Sequence, residues 1–203
     1  IPSVPSSNRA ASVSDDSLPG LTDTHCHLDL PAYDADRGAV MERARRAGLV
    51  RILVPGLDLA GSRRAAELAR SDPMLRFAPG VHPHESGGFS GRVLDELRAL
   101  AREPGAVAIG EIGLDYFRNL APPSLQREAF RAQLALAREL GLPAIVHIRE
   151  AEEDALAILS EAGSGVRGVL HAFSGSRTLA ERLPETGFYF GIGGPLTYPG
   201  SKH

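Results

Sequence analysis

The sequence predicts an α/β fold, a TIM-type (β/α) barrel with seven strands present and the eighth unit missing. Three observations predict it. Short apolar runs such as ILVPGL and AIVHI recur along the chain, as strands covered on both faces do. Stretches with helical periodicity separate them, and crossovers of that length imply a parallel sheet. Strand starts run from residue 21 to residue 188, about 28 residues per unit, which suits a barrel of ~250 residues. The competing architecture, an open doubly wound sheet, is disfavoured because no GxGxxG or Walker pattern follows any of these runs. At this spacing an eighth strand would begin near residue ~215. The chain ends at His203, so the expectation is a seven-strand barrel or a fragment without its last unit.

Residues 1–20 (IPSVPSSNRAASVSDDSLPG) are rich in Ser and Pro and have no periodicity, which predicts a disordered tail. They lack the apolar run of a secretory signal, and a cytoplasmic location is expected. The incomplete barrel occupies residues 21–203. Strands are expected at 21–29, 51–57, 76–82, 106–114, 144–149, 168–173 and 188–193. Between them, Val40, Ala44 and Ala47 share a helix face that Gly48 can cap. Val93, Leu97 and Leu100 form another stripe. Ser124 is the expected N-cap of a helix that buries Phe130, Leu134 and Ala137 and stops at Gly141-Leu142-Pro143. Helices over 150–160 and 176–183 complete the alternation.

Composition narrows the function classes. A hydrophobic fraction of 43% rules out a wholly disordered chain. No stretch approaches the ~18 apolar residues of a membrane span. Cys26 is the single cysteine, which excludes internal disulfides and a Cys-rich zinc framework. A net charge of −3 gives no bulk attraction to nucleic acid or anionic membrane. All but one of the 22 basic residues are arginine, scattered along helical stretches as solvated faces.

The histidines are the strongest signal. Of the seven, His25, His27, His82, His84, His147 and His171 lie at or just past the C-terminal end of a predicted strand, and only His203 does not. That rim is where barrel active sites lie. In His25-Cys26-His27 the period of two puts both imidazoles on one face, so both can reach one cation, while Cys26 points away. Buried core histidines are the competing reading. In His82-Pro83-His84 the proline suits a turn, which is less ligand-like. Glu111 follows the buried run 106–109 with glycine on both sides, and a carboxylate there is costly unless paired or metal-bound. Its partner is then an arginine such as Arg149, or a metal. Four rim imidazoles and one rim carboxylate are the makings of a binuclear site with the glutamate between ions ~3.5–4 Å apart.

HCHLD, GVHPH, GEIGLDY, HIREA and HAFSG occur in this order on successive predicted strands. Together they closely resemble the TatD family of metal-dependent deoxyribonucleases, in the amidohydrolase superfamily. The resemblance covers residues 21–198. It implies two divalent ions, with magnesium among the ions that support activity, whereas imidazole-rich ligation suits zinc, manganese or iron better. His25 and His27 would bind the first, His147 and His171 the second, and Glu111 would bridge them. It places His82 beside the scissile phosphate and implies that Arg149 holds the phosphate or orients Glu111, with a structural ion pair as the alternative for Arg149. Glu111, His82 and Arg149 are thus the implied catalytic residues. Asp115 and Tyr116 match the motif and are read as shaping the rim. Ala172 stands where the family often has cysteine. Family members carry an aspartate after the next strand, which completes the first metal site and activates the attacking water. Only Glu181 and Glu185 follow His171 here, and a truncated member is the expectation.

The implied activity is hydrolysis of DNA phosphodiester bonds, in a short single strand or at an end. No membrane or obligate protein partner is expected. Two ions would offset the acidic net charge, so little basic surface is needed. The alternatives are another amidohydrolase-superfamily metallohydrolase, acting on an ester, lactone or amide, and an inactive fragment without the catalytic aspartate.

Overall fold

The computed structural model describes residues 20–183 and 187–199. The expected tail (Gly20 apart), Glu185 and His203 lie outside them. Seven strands alternate with six α-helices among the described residues: β1 (Leu21–Asp23), α1 (Arg37–Arg46), β2 (Leu49–Pro55), α2 (Leu59–Ser71), β3 (Leu75–Ala78), α3 (Gly91–Leu100), β4 (Ile109–Asp115), α4 (Pro123–Leu140), β5 (Ala144–Arg149), α5 (Glu152–Ala162), β6 (Gly168–Leu170), α6 (Arg177–Arg182) and β7 (Phe188–Phe190). Every strand pair is parallel and in chain order, in two ladders, β1-β2-β3 and β4-β5-β6-β7. A parallel bridge between Phe77 and Ala106 joins the ladders. The Gly110 N–H, donating to the Pro79 carbonyl at 3.1 Å, continues the join toward the rim. The sheet curves: the rings of His25, after β1, and His171, after β6, stack with centroids 3.5 Å apart.

The window 144–149 coincides with β5, whereas the windows of β1, β2, β3, β6 and β7 run past the C-terminal ends of the observed strands. The ladder of β1 stops at Asp23, not residue 29, and β3 stops at Ala78, not residue 82. The chain beyond them forms rim segments tied down by isolated backbone hydrogen bonds, such as His82 N–H to the Leu57 carbonyl at 2.8 Å. Ser124 is not the N-cap of α4. The helix opens with Pro122 at the cap position and Pro123 as its first residue, where the fixed φ of proline suits entry and its missing N–H costs nothing. Its end is as expected: Gly141 takes φ +66°, and the Leu142 N–H reaches back to the Ala137 carbonyl.

The outer core has two parts. Leu28, Met41, Val54, Ala65 and Phe77 pack α1 and α2 onto β1–β3. Leu97, Ile112, Phe130, Leu134, Val146 and Leu159 pack α3–α5 onto β4 and β5. Inside the curve, Ala78, Ala108 and Ile145 pack with Leu53 and Val169. This small inner layer is the floor of the site. By the period of two, His147 stands above Ile145 on the same face of its strand, and His171 stands above Val169. Gly80 and Gly110 let the floor close: a Cβ on Gly80 would lie 2.6 Å from the Gly110 carbonyl carbon.

Candidate metal centre

Beyond β1 the Cys26 N–H still donates to the Leu53 carbonyl (3.0 Å), and the Leu28 N–H then turns back onto the Cys26 carbonyl (2.9 Å). The alternation expected of a strand therefore survives where the ladder does not. Cys26 packs toward the outer core with Leu28 and Met41, and the imidazoles of His25 and His27 meet on the inner side with Nε2 atoms 3.1 Å apart. Both nitrogens face one oxygen of Glu111, at 3.3 Å from His25 and 3.4 Å from His27. The other Glu111 oxygen faces His147 Nδ1 at 3.1 Å and His82 Nε2 at 3.8 Å. Glu111 is 3% exposed, and its two oxygens address two separate groups of imidazoles. Two sets of ligand atoms lie close enough to share an ion, His25–Glu111–His171 and His82–Glu111–His147. Distance thus puts His171 with His25, whereas the motif resemblance implies that it joins His147.

Proton bookkeeping shows which nitrogens are ready to ligate. His27 Nδ1 lies 3.1 Å from the Pro55 carbonyl. A carbonyl only accepts, so Nδ1 carries the proton and neutral His27 presents a bare Nε2 to His25 and Glu111. His147 Nε2 lies 3.2 Å from Asp115 Oδ2, which leaves Nδ1 bare toward Glu111. In His82 the roles are reversed. Its Nδ1 accepts the His84 N–H at 3.2 Å, so the neutral ring keeps its proton on Nε2, facing the centre as a donor. Bare nitrogens and carboxylate oxygens repel at 3.1–3.4 Å unless a proton or a cation lies among them. An ion bound tetrahedrally at ~2.0–2.1 Å has ligand atoms ~3.4 Å apart, so the donors present fit a divalent cation.

Asp115, read from sequence as shaping the rim, does more. It is 1% exposed and accepts from His84 Nε2 (2.8 Å), His147 Nε2 and the Arg118 N–H (2.8 Å). Two fully buried glutamines of α4 fix the backbone on either side. Gln126 accepts the Asp115 N–H (2.8 Å) and donates to the Asp115 carbonyl (3.2 Å). Gln133 does the same for Val81, at 2.7 and 3.1 Å, immediately before His82. Replacing Gln133 with leucine strands the buried amide group of Val81. The expected loss is about 2–4 kcal/mol of stability, readable by urea denaturation. A loss under 0.5 kcal/mol would mean the clamp is not closed in solution.

Arg149 is not brought to Glu111; its guanidinium lies over the Phe117 ring, 3.8 Å from the centroid. Glu181 pairs with Arg177 on α6 at 2.7 Å, outside the centre.

A family model described as TatD related DNase matches residues 22–203. The chain belongs to the TatD family. This TatD chain is 39% identical over 183 residues to a Bacillus subtilis protein named uncharacterized metal-dependent hydrolase YabD, covering 90% of this chain and 72% of that one. It is 41% identical over 176 residues to an Erwinia tasmaniensis protein named 3'-5' ssDNA/RNA exonuclease TatD, covering 86% of this chain and 68% of the relative. Among solved structures, the TatD homolog YJJV from Escherichia coli superposes with a TM-score of 0.81 at 35% identity, over 88% of this chain and 70% of that one. The fold is that of the TatD TIM-barrel hydrolases, and the chain is a TatD-family metal-dependent hydrolase with His/Glu groups able to bind metal. No helix among the described residues is long and apolar enough to cross a membrane.

The electrostatics of the TatD site follow from its burial. Burial opposes charge on Glu111, but hydrogen bonds from His147, His25 and His27 outweigh it and hold the carboxyl well below the usual range. Burial pushes His82 down to about 3 and His171 to about 4, so both rings are neutral. In His27 and His147 burial is outweighed by Glu111, and both rise above 6.5. Their imidazolium–carboxylate pairs stabilise the metal-free fold below pH 6.5, and that contribution is lost as pH rises through the raised values. Metal needs the neutral rings and competes with those protons. The rise in melting temperature on adding excess Zn²⁺ or Mn²⁺ is therefore expected to be small below pH 6.5 and to grow as pH rises above it. A thermal shift series that is flat or falls with pH would contradict the proton assignments.

Proposed function

We propose that this chain is a nuclease of the TatD kind, hydrolysing phosphodiester bonds of DNA in a single strand or at an end, with two divalent ions at the rim. The observation that carries this reading is Glu111: one buried carboxylate whose separate oxygens face His25 and His27 on one side and His147 and His82 on the other. Such a centre suits hydrolysis of an anion. Bound ions supply neutralising charge to the phosphodiester, a more acidic water and stabilisation of the leaving oxygen. Imidazole-rich donors favour zinc or manganese over magnesium.

The protein's own residues have distinct parts. His25, His27, His147, His171 and Glu111 would hold the ions. His82, neutral and with its proton on Nε2, donates a hydrogen bond to a phosphate oxygen beside Glu111. Asp115 keeps His147 in the tautomer that presents Nδ1. Arg149, exposed at the end of β5, is available to the phosphate. The Erwinia relative's name supports a single-stranded substrate.

The test is a hydrolysis assay on the chain stripped of metal and reloaded with zinc, manganese or magnesium. Single-stranded and duplex oligonucleotides are compared with an aryl ester and a lactone. Metal-dependent release of nucleotides, faster from the single strand, is expected. Turnover of the ester or lactone without cleavage of any nucleic acid would replace the nuclease by a different metallohydrolase. No turnover of any substrate by a metal-loaded chain would favour the inactive fragment.

A further inference from the structure

Phe117 is 53% exposed, with Leu120, 65% exposed, three residues on. A single exposed aromatic is ordinary, but this one is built into the rim. The Arg149 guanidinium covers its ring at 3.8 Å, and among the described residues no carboxylate pairs with Arg149. The segment carrying Phe117 is held on both sides. The Tyr116 N–H donates to the Arg149 carbonyl (2.9 Å). The Tyr116 hydroxyl donates to Asp154 (2.6 Å) and accepts from Arg127 (3.2 Å). The Arg118 N–H donates to Asp115 Oδ1 (2.8 Å), while the other oxygen of the same carboxylate holds His147 and His84. Phe117 lies two residues beyond Asp115, Arg149 lies two residues beyond His147, and Asp115 and Arg149 are register partners across β4 and β5. An aromatic face, a cation without an acidic partner and the candidate centre are thus fixed to one rigid frame.

We infer that Phe117 and Arg149 form a stacking subsite for a nucleobase of single-stranded nucleic acid, next to the phosphate at the centre. This rests on the nuclease reading above. The face reads no base edge, so the subsite tolerates any base, DNA or RNA. It also requires an unpaired one, because a base inside a duplex has no free face to offer. Stacking on an aromatic side chain is worth about 1–3 kcal/mol per base, about 5- to 150-fold in affinity. An acidic protein can thus hold a single strand without a basic groove.

The test is equilibrium binding by fluorescence anisotropy to the zinc-loaded chain. The probes are a short oligothymidylate with phosphorothioate linkages, which suppress turnover, and the same backbone made abasic. The parent should bind the base-bearing strand at least about 5-fold more tightly. Phe117→Ala should erase that preference and leave abasic binding unchanged, and Phe117→Trp should retain it. A Phe117→Ala protein that keeps the parent's preference, or weakens both strands equally, would overturn the subsite while leaving the nuclease reading intact. A parent that binds neither strand would overturn the nuclease reading and the subsite with it.

Discussion

Glu111→Gln is expected to cost the chain at least about 10²–10³-fold in hydrolytic activity, the scale for removing one group that stabilises a transition state. The amide keeps the shape of the side chain and loses its charge. It can offer one acceptor oxygen to a centre that uses two, since both carboxylate oxygens face imidazole nitrogens within 3.8 Å. Metal content should fall with activity, measured by elemental analysis after dialysis. The metal-free protein gives a second readout. Glu111 raises the pKa of His27 and His147 against the effect of burial. In Glu111→Gln both rings should therefore titrate at lower pH, followed by NMR of their ring protons. A variant that keeps its metal and its rate would remove Glu111 from the centre.

Gly113→Ala is expected to be among the most damaging single methyl groups that the described residues could receive. Gly113 pairs with His147 in the β4–β5 ladder and takes φ +137°. A Cβ there would lie 2.0 Å from the His147 carbonyl oxygen, and neither strand can yield without shifting Glu111 and Asp115 on one side and His147 on the other. Backbone strain and the clash together should cost at least about 3 kcal/mol. Calorimetry should show a melting point lower by roughly 5 °C or more. Retention of parental stability would mean that the two strands are not in this register.

How much of this was legible beforehand depended on how local the signal was. His25 and His27 are legible by alternation, which governs any extended chain, and their imidazoles meet even though the ladder of β1 stops short of them. Glu111 was legible because a carboxylate inside a buried glycine-flanked run needs a cationic partner. The same logic reached Asp115 only halfway. Residues 111, 113 and 115 share parity, so a second buried carboxylate on that face also needed partners, which are His84 and His147. Gln126 and Gln133 interrupt the apolar stripe of α4 and could have been noticed as buried polar residues. The partner of Gln133, however, is the backbone of Val81, 52 residues away, and backbone leaves no trace in a sequence. The Phe117–Arg149 stack likewise exists only because β4 and β5 place their ends side by side. Several strand windows overrun because the rim segments continue past the last ladder pair without a change of pattern to mark it, and Ser124 yields the cap position to the Pro122-Pro123 entry.

On the proposed function, Glu111 stands between two divalent ions held by imidazoles from separate strand ends. Anomalous scattering from crystals of this chain grown with zinc or manganese would locate them. Two peaks are expected, one within ~2.5 Å of each Glu111 oxygen and ~3.5–4 Å apart, with the nitrogens of His25, His27, His147 and His171 around them. Peaks that all lie elsewhere, with the Glu111 carboxylate bound only to protonated histidines, would contradict that expectation.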